Sequence, residues 1–454
     1  MDVLQSIVNY VLDLGPSVFV SAIMIVIGLI VKMKIKDAIS AGITLGVAFT
    51  GMSMLISFMM NAIGPAANAM VTNTGIALPV LDGGWTTLAT LAWSWPYSFV
   101  MFPLVIGVNI LMLVLNKTNT INADMWNVWG KIFTAVCVTY VTGNVIIAFV
   151  IAAVQTALEL VYADMHASRI EKLTGIPSVT CTHRMTFTGA VMYPVDVLLR
   201  RIPAFQGEFN AEALRGKIGI FAENHVLGAI LGLIFGIIAG FSAANTLILA
   251  VQCATALTLF PVIAKYFMSA LEPISDAINT YMQNRFSGRK LNVGLDWPFL
   301  GGSNEIWIAI IINVPITLLY AFILPGNEVL PFAGIINVAI AVSAYLVTKG
   351  NIKRMLVLCL VFEPVFLYAA TWTAPLISDL ATTTGAIALD AGQLISCSSI
   401  DGPWFTYGIS HIFLFTQGSF LPLIMLVTWL AGFYFYRKEL IAEAKADEEV
   451  ETIE

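Results

Sequence analysis

The sequence predicts an all-α polytopic membrane protein of about eleven transmembrane helices, with re-entrant hairpins and two inverted-topology repeats. Of its 454 residues, 58% are hydrophobic and only 11% are charged. No lysine or arginine occurs between Lys36 and Lys117. Such a composition is typical of a chain that lies largely in lipid, and it excludes a soluble enzyme.

The sequence lacks the motifs of the common enzyme and metal-binding classes. The five cysteines form no CxxC pair and no Cys/His metal spacing, and P-loop, GxSxG and HExxH motifs are absent. The basic residues form no stripe that would bind nucleic acid. We therefore expect no cofactor, no metal site, no catalytic residue and no nucleic-acid partner. The amino-terminal residues also lack the pattern of a removable signal peptide.

Two short stretches interrupt the apolar runs in a similar way. LPVLDGGW, from Leu78 to Trp85, contains Asp82, and NVGLDWPFL, from Asn292 to Leu300, contains Asp296. Glycine and proline beside each acid disfavour a continuous helix. Broken backbone at membrane depth must be buried in protein or line a wet cavity. The two stretches are therefore predicted to be re-entrant and to carry the functional site.

The two halves of the chain align when one is shifted by 208 positions. The matched pairs are Gly28 and Gly236, Met60 and Met268, Ala62 and Ala270, Pro65 and Pro273, and Ala69 and Ala277. After a short insertion Asp82 matches Asp296, and further on Asn144, ending VTGN, matches Asn351, ending VTKGN. The preserved order predicts an internal repeat.

Charge gives the orientation of the two repeats. Lys32, Lys34 and Lys36 follow the first span, whereas the matching turn at 240–245 has no charge. The uncharged stretch 64–75 matches a segment that carries Arg285, Arg289 and Lys290. Basic residues favour the cytoplasmic side, so the halves are predicted to have opposite orientations. The amino terminus is then outside and the carboxyl terminus is in the cytoplasm.

The predicted organisation has four parts. Residues 1–200 form the first repeat, with spans 1–5 and re-entrant segments near 78–90 and 175–193. Residues 201–217 form a cytoplasmic linker. Residues 218–438 form the second repeat, with spans 6–11 and re-entrant segments near 291–303 and 381–404, and residues 439–454 form an acidic tail. Pro96 and Pro103 are expected to kink their span, and Trp126 and Trp129 to anchor at the membrane interface.

Several stretches resemble one bacterial family. They are DLGP from Asp13, IGPAA from Ile63, VLDGGW, NADMWNVW from Asn122, NVGLD, and LPGNEVLPF from Leu324. Their order and spacing resemble the galactitol-type enzyme IIC of the sugar phosphotransferase system, which belongs with the ascorbate transporters. The resemblance implies a homodimer of eleven-span protomers in the bacterial inner membrane. It also implies a separate enzyme IIB, supplied through IIA and HPr, that phosphorylates the bound sugar from a phosphocysteine.

One motif departs from the family. Galactitol transporters usually read IPHGTS in the first cytoplasmic hairpin, whereas this chain reads IPSVTCTHRMT, which places His183 several positions later. The resemblance therefore leaves the identity of the polyol or sugar open. No phosphocysteine loop occurs in the chain, so IIB must be another protein. Arg200, Arg201 and Lys217 are expected to contribute to IIB docking.

A polyol offers many hydroxyls and no charge, so its site needs paired donors and acceptors and a flat apolar face. The candidate substrate-binding residues are Asp296, Asp82, His183, Thr86, Thr87, Glu305, Gly326 and Asn327. For either aspartate the alternative is a structural cap on a broken helix, and for His183 an interfacial position. Trp85 and Trp297 flank the two bends, where they either stack on the sugar or pack in the core.

Three functions are consistent with these observations. The first is a permease that presents a polyol, such as galactitol, to phospho-IIB for coupled uptake and phosphorylation. The second is an ion-coupled secondary transporter of a small polar solute, which would also use inverted repeats and membrane-embedded acids. The third is a non-transport membrane enzyme or assembly subunit. Only the first requires a phosphorylated protein partner.

Overall fold

Helices make up most of the chain in the computed structural model, which describes residues 16–30, 32–75, 77–206, 219–285, 291–390 and 392–451. The helices before the chain midpoint are α1 (Pro16–Ile30), α2 (Ile35–Thr74), α3 (Gly84–Ser94), α4 (Met101–Val114), α5 (Val128–Thr142), α6 (Val145–Thr174) and α7 (Thr188–Leu199). The later helices are α8 (Asn224–Ile238), α9 (Ala243–Arg285), α10 (Asn304–Ile323), α11 (Val338–Thr348), α12 (Ile352–Thr384), α13 (Pro403–Ser410) and α14 (Leu421–Glu451). Short 3-10 turns at Arg184–Phe187 and Trp297–Gly302 belong to the interrupted segments.

Several helices are long and apolar enough to cross a membrane. Within the described ranges five qualify, and a sixth span results if α3 and α4 count as one broken span. These two helices meet at an angle of 94° across the residues around Pro96, where the sequence predicts a kink. The predicted number of eleven spans is larger than this set and stays a prediction.

Within the part of the chain that the structure describes, six short strands occur, although the sequence predicts an all-α chain. They are β1 (Val80–Asp82), β2 (Thr120–Asn122), β3 (Val179–Cys181), β4 (Asn292–Leu295), β5 (Val329–Leu330) and β6 (Leu394–Ser396). Four of the six, β1, β3, β4 and β6, lie in the predicted re-entrant segments. Backbone N–H and C=O groups that leave a helix inside a bilayer need protein partners, and strand pairing provides them.

The strands form two small parallel sheets, and each sheet combines strands from both halves of the chain. In the first sheet β1 is central, with β5 on one side and β6 on the other. In the second sheet β4 is central, between β2 and β3. Each sheet therefore takes its central strand from one half of the chain and both flanking strands from the other half.

The order of elements in the first half recurs in the second. Helix α8 begins and ends 208 positions after α1, and α9 begins 208 positions after α2. The matched asparagines also have the same role, because Asn144 caps α6 and Asn351 caps α12 with their side chains. Each cap follows a left-handed turn, at Gly143 or Lys349–Gly350, that ends the preceding helix.

Candidate functional site

A small pocket with both polar and apolar walls lies where β4, the segment after β3 and the segment after β6 meet. It is lined by Trp85, Trp126, Asn127, Trp129, His183, Met185, Asp296, Trp297, Val338, Ala339, Ser399 and Asp401. Asp296 directly follows β4, His183 follows β3 and Asp401 follows β6. The carboxyl ends of these strands thus bring together side chains that are more than 100 positions apart in the sequence.

His183 has a defined orientation in this pocket. Its side chain is only 4% exposed, and Nδ1 accepts a hydrogen bond from the Met185 backbone N–H at 3.1 Å. In a neutral imidazole the nitrogen that accepts carries no proton, so the proton is on Nε2. The Nε2–H group is therefore the donor that His183 can offer to a ligand.

Two carboxylates approach the Nε2 atom of His183 without reaching hydrogen-bond distance. Asp296 Oδ1 is 4.0 Å away and Asp401 Oδ2 is 3.8 Å away. Polar contacts of this length are commonly bridged by a third group. A hydroxyl inserted between them can accept from Nε2–H and donate to a carboxylate, so the three side chains fit the donor–acceptor character of an alcohol.

Four tryptophans supply much of the apolar part of the wall. Trp85 and Trp297 flank the predicted bends, and both line the pocket. Trp126 and Trp129 are buried in the wall, so the predicted interfacial position of these two residues is wrong. The indole N–H of Trp129 donates to the Asn127 side chain at 3.0 Å, which fixes the ring beside the polar residues. Flat aromatic faces next to carboxylates and amides suit a ligand with both C–H and O–H surfaces.

Asp82 has a different environment from Asp296, although each acid stands at the carboxyl end of a central strand. The Asp82 carboxylate is fully buried and accepts from the backbone N–H groups of Gly84, Phe332, Gly334 and Ser398, at 2.9 to 3.1 Å. The Ser398 hydroxyl adds a fifth hydrogen bond at 2.6 Å. The Asp82 oxygens thus already accept hydrogen bonds from the protein, and Asp82 is not on the pocket wall.

The strand register explains why one aspartate is enclosed and the other is accessible. Val329 pairs with the residue two before Asp82, and Asn122 pairs with the residue two before Asp296. Gly334 lies five residues after Val329, and Asn127 lies five residues after Asn122, so the two residues occupy equivalent positions in the two sheets. A Cβ on Gly334 would lie 2.7 Å from Asp82 Oδ1, so only glycine allows the backbone to close over the acid. Asn127 instead keeps a side chain on the wall of the pocket.

The other predicted site residues lie away from this pocket. The Thr87 hydroxyl donates to the Gly83 carbonyl and Thr86 is buried one residue earlier in α3. Glu305 accepts from the Ser303 hydroxyl. Gly326 is exposed, and Asn327 is buried with its amide donating to backbone carbonyls around β5. We interpret these residues as supports of helix and strand ends.

Asp401 lines the pocket but is not among the predicted site residues, although a pattern in the sequence indicates it. It stands in DGPW, which repeats the DGGW pattern around Asp82, and in each case a helix begins within two residues of the acid. Asn127 and Ser399 have no comparable signal, because an isolated asparagine or serine is common in loops. Their position on the wall depends on the pairing of distant strands.

Comparison with known proteins identifies the family. The model for the EIIC-GAT family, the sugar-specific permease component of the PTS system, matches residues 10–392. The chain belongs to the EIIC-GAT family. The galactitol-specific EIIC component of Escherichia coli (strain K12) is 31% identical over 412 residues, covering 90% of this chain and 91% of the relative. A putative permease IIC component of the same strain is 30% identical over 408 residues, covering 89% and 93%.

Membership agrees with the resemblance seen in the sequence and with the apolar helices. An EIIC-GAT chain is a PTS permease component, and it works with an EIIB component and a sugar substrate. With several helices able to span a bilayer, this EIIC-GAT chain is a multi-pass membrane protein. The pocket between the exchanged strands is therefore the candidate site at which this permease component holds its sugar.

Proposed function

We propose that the chain binds galactitol or a related polyol in the pocket of His183, Asp296 and Asp401. It then presents the polyol to a cytoplasmic phospho-IIB protein for coupled uptake and phosphorylation. The observation that carries this proposal is that three side chains able to bind hydroxyls and four tryptophans line the same pocket in a chain of the EIIC-GAT family. The relative that is 31% identical is galactitol-specific, which supports a polyol as the substrate.

The three polar side chains divide the recognition of hydroxyls among them. Asp296 accepts a hydrogen bond from the Trp297 backbone N–H at 2.7 Å, and its side chain is 21% exposed, so lone pairs remain for a ligand. Asp401 is another acceptor, and His183 Nε2–H is the donor. The tryptophans cover the C–H surface. In this proposal the chain contributes proximity and orientation, while the phosphoryl group comes from IIB.

The pocket is narrow in the conformation described. The cavity holds about 30 Å³, which is room for a single water molecule rather than a six-carbon polyol. Polyol binding therefore requires the walls to separate. Because the walls come from both halves of the chain, we propose that relative movement of elements from the two halves opens the site.

We also propose two inverted-topology repeats of 1–200 and 218–438, joined by a cytoplasmic linker and arranged as a homodimer in the lipid bilayer. The matched bounds of α1 and α8, the paired asparagine caps and the exchanged strands support the repeat. The pattern of basic residues supports an external amino terminus and a cytoplasmic carboxyl terminus.

The residues expected to dock IIB have different environments. Arg200 forms ion pairs with Asp196 at 2.6 Å and Glu439 at 2.8 Å, so it stabilises the chain itself. Arg201 is exposed, and Lys217 lies outside the described residues. We therefore retain Arg201 as a proposed contact and assign Arg200 to internal packing.

Calorimetry on the purified full chain tests the function. The panel contains galactitol, other hexitols, pentitols, ascorbate and aldoses. We expect saturable binding of one polyol and, in proteoliposomes, its phosphorylation only when phospho-IIB is present. Uptake driven by a proton or sodium gradient without IIB would contradict the proposal and favour the ion-coupled alternative. No binding by folded protein across the panel would place the substrate in another chemical class.

A further inference from the structure

Arg184 is a buried cation immediately behind the pocket. It opens the 3-10 turn that follows His183, its side chain is only 2% exposed, and it is not on the pocket wall. A charged side chain at this depth is costly unless its contacts are fixed. Those contacts reach two of the elements that form the pocket wall.

The first contact is with the beginning of α5. Arg184 Nη1 donates to the Gly130 carbonyl at 2.9 Å and to the Thr134 hydroxyl at 3.2 Å. Its guanidinium carbon lies 5.1 Å from the ring centroid of Trp129 and 5.2 Å from that of Phe133. A Cβ on Gly130 would lie 3.1 Å from Arg184 Nε, so the glycine permits this close approach. The guanidinium is thus packed against the turn of α5 that carries a pocket tryptophan.

The second contact is with the segment after β6. Arg184 Nε lies 3.9 Å from Asp401 Oδ2, which is close enough for ion pairing. The next residue, Gly402, has a φ of +55°, and a Cβ there would lie 3.0 Å from the Arg184 carbonyl oxygen. The loop that carries Asp401 therefore packs directly against the Arg184 backbone.

We propose that Arg184 is a positioning residue for the polyol site. It holds the Trp129 ring and the Asp401 carboxylate in the arrangement that contacts the ligand, and it touches no ligand atom itself. The assignment rests on the proposed function of the pocket. Lysine cannot replace it, because a compact ammonium group lacks the planar face and the forked donors that reach α5.

A double-mutant cycle on polyol affinity tests this role in the full chain. The variants are Arg184→Lys, Trp129→Phe and the combination, measured by calorimetry with the polyol that the wild type binds. We expect Arg184→Lys to weaken binding roughly tenfold alone and only about twofold in the Trp129→Phe background. Arg354→Lys is the matched control, because Arg354 pairs with Asp196 away from the pocket, and its affinity should equal that of the wild type.

The cycle separates positioning from general support of the fold. Equal effects of Arg184→Lys in both backgrounds, or wild-type affinity in Arg184→Lys, would overturn the proposal. If Arg184→Lys does not fold, Thr134→Val removes one Arg184 acceptor at nearly constant volume. That variant should still fold, with a lower melting temperature, and should bind several-fold more weakly; wild-type affinity in it would overturn the proposal. Failure of the wild type to bind any polyol would instead overturn the proposed function.

Discussion

Asp296 and Asp82 differ in how many fixed groups each carboxylate binds. Asp82 accepts five hydrogen bonds from the protein, whereas Asp296 accepts from the Trp297 backbone N–H and from the Asn127 side chain and is partly accessible. Hydrogen bonds to a charged group contribute about 1.5–3 kcal/mol each. Replacement of the aspartate by asparagine should therefore lower ligand affinity at position 296 and the stability of the fold at position 82.

We expect Asp296→Asn to weaken polyol binding by roughly 10- to 100-fold, because one charged hydrogen bond to the ligand is lost. Its melting temperature should stay close to that of the wild type. Asp82→Asn is the matched comparison, and it should lower stability by about 2–4 kcal/mol while folded protein keeps its affinity. Calorimetry and thermal unfolding on both variants measure the difference, and normal affinity in Asp296→Asn would remove it from the site.

His183 can be tested through the identity of its two nitrogens. The amide N–H₂ group of glutamine can take the place of Nε2–H, whereas the oxygen of asparagine can take that of Nδ1. We expect His183→Gln to retain more polyol affinity than His183→Asn, by about tenfold. Equal affinity in the two variants would show that the Nε2 donor does not contact the ligand.

At the residue scale, the sequence indicated Asp296 and His183, which line the pocket, but not the residues beside them. Asp296 was identifiable because an acid beside glycine and proline in an apolar chain is rare, and His183 because the family resemblance directs attention to that hairpin. The pairing of β4 with β3 brings these two together, and no local pattern encodes it. The role of Asn127 follows only from its register, which is equivalent to that of Gly334 in the other sheet.

Close packing of the strands in the second sheet depends on a glycine at the centre of β4. A Cβ on Gly294 would clash with the Thr182 side chain, so Gly294→Ala should force β4 away from β3. We expect a loss of about 1–3 kcal/mol, with reduced polyol affinity because Asp296 and His183 move apart. Gly107→Ala is the control, since a Cβ there meets no neighbour within 4 Å. Equal thermal stability of the two variants would contradict this account.

An ionic network holds α14 to the ends of two other helices. Glu439 accepts from Arg200 at 2.8 Å and from the Tyr193 hydroxyl at 2.9 Å, and Arg169 lies 3.3 Å away. Burial raises the pKa of the Glu439 carboxyl, but the hydrogen bonds from Arg200 and Tyr193 outweigh burial and lower the pKa below its ordinary value. The ionised form of Glu439 is therefore the one that the folded chain stabilises.

We expect Glu439→Gln to lower stability by about 1 kcal/mol at neutral pH, because the network is partly exposed. The lowered pKa means that the contribution is complete above the unfolded value of about 4.5 and is lost as the pH falls through the folded value. Thermal unfolding between pH 7 and pH 3 should therefore bring the wild type towards the variant, with the change confined to the range below about pH 4.5. Exposed Glu171→Gln is the control and should match the wild type throughout; a constant difference between wild type and Glu439→Gln would contradict the linkage.

At the element scale, the sequence located the interruptions but not their form. Gly83, Gly84 and Pro298 indicate where helices must break, and the chain is non-helical at both aspartates as predicted. Strands of two to four residues are too short to show a periodic pattern. Their partners also lie far away in the chain, so nothing local could indicate that they pair.

On the scale of the whole molecule, the shift of 208 positions predicted the correspondence of elements. Matched helix bounds and matched caps occur where the alignment places them, because glycine and asparagine have positional roles that survive changes in apolar residues. The alignment did not predict that strands would be exchanged. An internal repeat is equally compatible with two sheets that each belong to one half.

The exchanged strands make the two halves interdependent during synthesis. Val80 pairs with Val329 and Leu394, so β1 has no strand partner until most of the chain has left the ribosome. These strand pairs join residues that are far apart in the sequence. The contact order of the fold is therefore high, which favours slow final assembly. Expressed separately, fragments 1–206 and 207–454 should be degraded, whereas co-expression should restore polyol binding. The pocket is thus complete only when strands from both halves of the chain are present.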